Sequence, residues 1–94
     1  MSSAAYDGDA VVVVDEQEIA VAVRVRSSDV EAWRGLVLVL PDQAELFTSE
    51  QVLELRLPTG RRGLINALGS PRTHPAEPGR LIVHFRGIGH RPID

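Results

Sequence analysis

Apolar and polar positions alternate with a period of two along most of the chain. From residue 18 to 26, Ile19, Val21, Val23 and Val25 fall on one side and Ala20, Ala22, Arg24 and Arg26 on the other. That is the pattern of a strand with one face in a core and the other in water. Residues 10–14 form a largely β-branched run before it, and Asp15-Glu16-Gln17 between the two reads as a hairpin turn. A polar loop is expected over residues 27–31. Residues 33–40 then alternate again, with Trp33, Gly35, Val37 and Val39 against Leu36, Leu38 and Leu40. Both sets are apolar, so this segment is expected as a central strand covered on two sides. Pro41-Asp42 supplies the turn that ends it.

Residues 44–57 carry two signals. Thr48-Ser49-Glu50-Gln51 has the form of a capping box that could open a helix. Against it, Leu53, Leu55 and Leu57 alternate with Glu54 and Arg56, and Pro58 follows at once. The reading adopted is an irregular stretch through Phe47 and a strand over 52–57. A glycine-bracketed turn at 59–63 leads to a short strand over 64–68. The longest loop is expected over 69–79, where Pro71, Pro75 and Pro78 oppose helix and central strand. The last strand, 80–86, turns Leu81, Val83 and Phe85 inward and Arg80, Ile82, His84 and Arg86 to the other face. The pattern predicts an all-β domain: a small antiparallel barrel or sandwich of six to seven strands with no substantial helix. Residues 1–9 are expected as a flexible N-terminal tail and 10–94 as one β domain, since 94 residues hold a single core.

Composition narrows the function classes. Hydrophobic residues make up 44% and charged residues 24%, the balance of a globular chain. No apolar run exceeds five residues, against the roughly 20 that a membrane helix needs, so no membrane association is expected. The opening nine residues lack the basic start and apolar stretch of a secretory leader, and a cytoplasmic location is the expectation. Without cysteine there are no disulfides, cysteine–zinc sites or thiol chemistry. The net charge of −3 argues against nucleic-acid binding. Four aromatics are also few for a surface on which bases stack.

The charge is unevenly spread. Residues 1–54 carry eleven acids against three arginines, and residues 55–94 carry seven arginines against two acids. All ten basic residues are arginine, so every cation is a planar fork suited to carboxylate or phosphate. One consequence is that the halves pair within a single sheet. The other is a cationic patch that attracts an anionic ligand or partner.

Most catalytic motifs are missing. There is no G-x-S-x-G, no phosphate-binding P-loop and no G-x-G-x-x-G between strand and helix. His74, His84 and His90 lack metal-ligand spacing, and no metal or cofactor is expected. The arginine and serine motifs of PilZ-type cyclic-dinucleotide receptors do not occur either. What remains is Arg80, His84 and Arg86 on one face of the last strand, spaced in steps of about 6.8 Å, with His90 and Arg91 just beyond. Trp33 and Tyr6 complete the set of expected ligand-binding residues.

Three landmarks carry a resemblance: Tyr6-x-Gly8-x-Ala10, Trp33-x-Gly35, and Gly87-x-Gly89 followed by Pro92. In this order and spacing the chain resembles an actinobacterial family of small β-domains of unknown function. Its members stand alone or follow flavin monooxygenase or short-chain dehydrogenase-type domains, often near natural-product genes. The resemblance implies an oxidoreductase partner and a natural-product setting, and it transfers no catalytic residue.

The leading expectation is a non-catalytic domain that binds a small anionic or aromatic ligand, or a partner enzyme, in an oxidative or polyketide-type pathway. One alternative is a cofactor-free cyclase or isomerase in the barrel mouth. There His84 or His90 would move the proton and Arg86 would steady an enolate or carboxylate. The other is a structural module that forms a homodimer through an exposed edge strand at 10–14.

Overall fold

The computed structural model describes residues 3–47 and 51–93. Six strands, β1 (Ala4–Val14), β2 (Gln17–Asp29), β3 (Ala32–Val39), β4 (Val52–Arg56), β5 (Arg62–Thr73) and β6 (Leu81–Ile88), are joined by short turns and one three-residue 3-10 turn, Ala44–Leu46. All neighbours are antiparallel, and they close into a barrel in the order β1-β2-β3-β6-β5-β4. The expected class, a small all-β barrel, is what forms. Among the described residues no helix is long and apolar enough to cross a membrane.

The period-two pattern does the sorting. Val12 and Val14, then Ile19 to Val25 in alternation, Val37 and Val39, Leu53 and Leu55, Ile65 and Ala67, and Val83 and Phe85 all point inward and are buried in one cluster. An eight-stranded barrel is about the size that side chains just fill, and six strands enclose less. Each end also has its own filling. The β3–β4 connection crosses one end and buries Ala44 and Phe47 in the core cluster. The chain beyond β6 returns under the other end, where Arg91, Pro92 and Ile93 are buried.

Several expected boundaries move. Residues 4–9, expected as tail, are the first half of β1, paired with Ala22 to Ser27 of β2. The segment 33–40 is not covered on two sides. A barrel wall has one layer, so Leu36 and Leu38 are half-buried on the outside and Leu40 is 47% exposed. Residues 10–14 are not an edge, because Val11, Val12 and Val13 pair with β4 on the side away from β2. The polar stretch from Ser27 to Asp29 continues β2 through a bulge, and the loop shrinks to the turn at Val30-Glu31. The proline-rich loop is shorter too, since β5 runs on to Thr73 after a bulge between Leu68 and Arg72, where Gly69 has φ 69°. There β5 has left β4 behind, and its unpaired side accommodates Pro71. The strand expected over 52–57 is β4. The capping-box residues Thr48, Ser49 and Glu50 lie outside the described residues, as do Met1, Ser2 and Asp94.

Candidate functional site

The barrel's outer wall gathers arginines that are far apart in sequence. The registers β2–β3 and β3–β6 set Arg26 opposite Arg34 and Arg34 opposite Arg86, one straight row over three neighbouring strands. One step along the strands, Arg24, Leu36, His84 and Leu68 form the next row across β2, β3, β6 and β5. Four guanidinium groups and an imidazole thus share one exposed surface with two leucines.

A local irregularity creates the row. A tight hairpin at Val30-Glu31 with no bulge would set Arg34 opposite Ser27 and turn the two arginines to opposite faces. The bulge inserts Ser28 as the extra residue, so Ser27 faces Trp33 and Arg26 faces Arg34. The Ser27 hydroxyl donates to the Asp29 carbonyl, which ties the bulged backbone to itself.

Only part of this charge is compensated within the chain. Arg26 donates through Nη1 and Nη2 to the two oxygens of Asp7, at 2.6 and 3.0 Å. Those hydrogen bonds, with the charges of Arg26 and Arg24 beside them, hold the Asp7 carboxyl below the usual carboxylate range. The same bond to Asp7 raises the pKa of the Arg26 guanidinium. The guanidinium groups of Arg34 and Arg86 make no hydrogen bond or ion pair with any described residue.

Two surface clefts meet at the row. The larger, about 810 Å³, runs from Arg26, Arg34 and Arg86 past Ala32 and Trp33 to Ser28 and Ala4. The smaller, about 420 Å³, runs from the same three arginines over Leu36 and Leu68 to His84. A guanidinium row on a shelf of this kind can hold carboxylate or phosphate oxygens in bidentate pairs, with apolar surface on either side for the rest of a ligand.

The residues singled out from sequence do not form one site. His84 and Arg86 belong to the row and its neighbour. Arg80 precedes β6 and lies exposed toward the opposite end of the barrel. His90 is exposed past the end of β6, apart from His84, so the two histidines are not brought together at a barrel mouth. Arg91 is buried and donates to the Ser27 hydroxyl at 3.0 Å. Tyr6 lies on the inward phase of β1, half-buried against the core, with its hydroxyl donating to the Asp9 carbonyl at 2.7 Å. His74 accepts at Nδ1 from the backbone N–H of Ala76 and Glu77, at 3.0 and 2.9 Å, and thereby shapes the β5–β6 turn. No three His, Asp or Glu side chains gather among the described residues. Arg24, Arg26 and Arg34 were missed. Their outward phase was readable, but their alignment with Arg86 depends on the Ser28 bulge and on a β3–β6 pairing between distant segments.

Trp33 and the glycine landmarks have a packing role. The Trp33 indole lies flat across β6 so closely that a Cβ on Gly87 would sit 2.0 Å from its Cε2. Its other edge meets Gly63, and its Nε1 donates to the Gly89 carbonyl at 3.0 Å. Gly35 makes the same kind of room for Phe85, directly opposite it. The two rings meet edge to face, centroids 6.0 Å apart. Tyr6 folds over Gly8. The three sequence landmarks are therefore aromatic rings laid on glycines at one end of the barrel. No known protein family, curated protein or solved structure matches this chain.

Proposed function

We propose that this domain is a non-catalytic binding module that holds a small anionic ligand on its outer wall, against Arg34 and Arg86. The observation that carries the reading is the straight row Arg26–Arg34–Arg86, in which only Arg26 has a carboxylate on it. Like charges set directly opposite one another destabilise a sheet. An anion bridging Arg34 and Arg86 turns that repulsion into charge-assisted hydrogen bonds. The resemblance noted above supplies the setting: a cytoplasmic accessory to an oxidoreductase in natural-product metabolism, delivering or holding an acidic intermediate.

Titration of isotopically labelled protein with benzoate and with inorganic phosphate, at low ionic strength, tests the site. The guanidinium Nε–H signals of Arg34 and Arg86 and the His84 ring signals are expected to shift together. Arg34→Ala and Arg86→Ala should each abolish the response, and added salt should weaken it. If no anion moves Arg34 or Arg86, the site is misassigned.

A further inference from the structure

We infer that the ligand is a diphosphate ester, its phosphates on the arginine row and its organic arm in one or both of the adjoining clefts. This rests on the binding-module reading above and deepens it. Charge is the first argument. Arg24, Arg26, Arg34 and Arg86 bring four positive charges to the surface, against Asp7, bonded to Arg26, and Glu31 on the wall of the larger cleft. A monocarboxylate would leave a surplus of one. A ligand with two negative charges balances the patch.

Span is the second argument. Side chains directly opposite on neighbouring strands have Cβ atoms about 5 Å apart, so three in a row extend about 10 Å. One carboxylate or one phosphate covers a single step of that row, whereas two linked phosphates reach across it. The planar, five-donor guanidinium fits successive phosphate oxygens better than an ammonium would.

The clefts are the third argument. Arg26, Arg34 and Arg86 line both of them. A molecule that fills either one lays its end on the row, and a molecule that fills both crosses the row at its middle. The wall beyond is apolar on one side, with Leu36 and Leu68, and mixed on the other, where Ala32 and Trp33 stand with Ser28 and Glu31. Such walls accept a nucleoside, an aromatic ring or an isoprenoid chain. The shared requirement is the diphosphate.

Calorimetry and NMR with four probes at matched ionic strength decide the matter: benzoate, inorganic phosphate, inorganic pyrophosphate and ADP. Pyrophosphate should bind at least about tenfold more tightly than phosphate. ADP should bind at least as well as pyrophosphate, and it should also shift the methyl signals of Leu36 and Leu68 or of Ala32. Arg34→Lys keeps the charge and the exposed position but removes the fork, so it should cost about tenfold for pyrophosphate and little for benzoate. Equal affinity for pyrophosphate, phosphate and benzoate would overturn the diphosphate assignment and leave an anion site standing. Shifts spread equally over Arg61, Arg62, Arg72 and Arg80 would show unspecific adsorption and overturn it as well. Silence of Arg34 and Arg86 toward every probe would remove both the ligand class and the site.

Discussion

Gly87 and Gly60 differ in what a single methyl group would meet. At Gly87 the Cβ would lie 2.0 Å from the Trp33 ring, which is itself held by its bond to Gly89 and by contact with Gly63. Gly87→Ala must displace that indole from the barrel end, and overpacking of this kind costs about 1–3 kcal/mol or more. At Gly60, φ is +90° with nothing within 4 Å, so Gly60→Ala pays only backbone strain of about 1–2 kcal/mol. Urea unfolding midpoints should rank the two, with Gly87→Ala the more damaging and its tryptophan emission shifted toward that of exposed indole. Asp7 sets a different balance. Its pKa is lowered in the folded protein, so its contribution to stability is complete above the ordinary carboxylate range. That contribution is lost as pH falls through the lowered value. Asp7→Asn should remove this part of the acid dependence while freeing Arg26 to join Arg34 and Arg86. Pyrophosphate affinity, measured at neutral pH, should then rise even though stability does not. Unchanged affinity in Asp7→Asn would mean that Arg26 takes no part in the site.

At the scale of elements, the β1–β2 hairpin is closed by Asp15 and Glu16, with φ of 48° and 68°. Both central residues thus occupy the left-handed region of a two-residue turn, where Asn-Gly or Asp-Gly is favoured. Glu16→Gly should stabilise the protein by about 1 kcal/mol, read as a higher thermal midpoint; no gain would mean that the strands, not the turn, dictate this conformation. The turn's position was legible from the change of pattern at residue 15, as were the inward faces of β2, β4 and β6, because alternation depends only on neighbours in sequence; β3, apolar on both faces, did not show which of them turns inward. The first half of β1 was not legible. Tyr6-Asp7-Gly8-Asp9 has little strand preference of its own and is ordered by the ladder to β2. The candidate site was half legible for a related reason. His84 and Arg86 share a strand, so sequence spacing places them together. Arg34 joins them only through pairing between segments about fifty residues apart, and Arg26 only through one extra serine in a bulge. Spacing along the last strand equally implied a place for Arg80, but the surface that forms runs across strands rather than along one.

For the whole molecule, closure is the least supported step. β1 and β2 pair along the full length of β1, from Ala4 to Val14, whereas β1 meets β4 only through Val11, Val12 and Val13. On the outer wall this seam has a strap. Arg56 of β4 bonds Glu54 on its own strand and reaches past β1 to Glu18 of β2, at 3.2 Å, and the bond to Glu54, with the charges of Glu54 and Glu18, raises the Arg56 pKa. Beneath the seam, Val12 and Leu55 face each other fully buried. The apolar contact therefore supplies most of the hold, and the exposed ion pairs add a smaller part that salt can screen. Opening the barrel at this line exposes the core without breaking the long β1–β2 ladder, so it should be the lowest-energy cooperative opening of the wall. Hydrogen exchange under native conditions should find the amides bonding β1 to β4 exchanging well before those bonding β2 to β3. Arg56→Ala, or high salt, should speed the seam while leaving the β2–β3 amides nearly unchanged. Leu55→Ala should speed both, because it removes core volume shared by every strand, at about 2–5 kcal/mol. If seam and β2–β3 amides exchange together in the unaltered protein, the barrel opens only by global unfolding, and the short β1–β4 ladder is not its weak line.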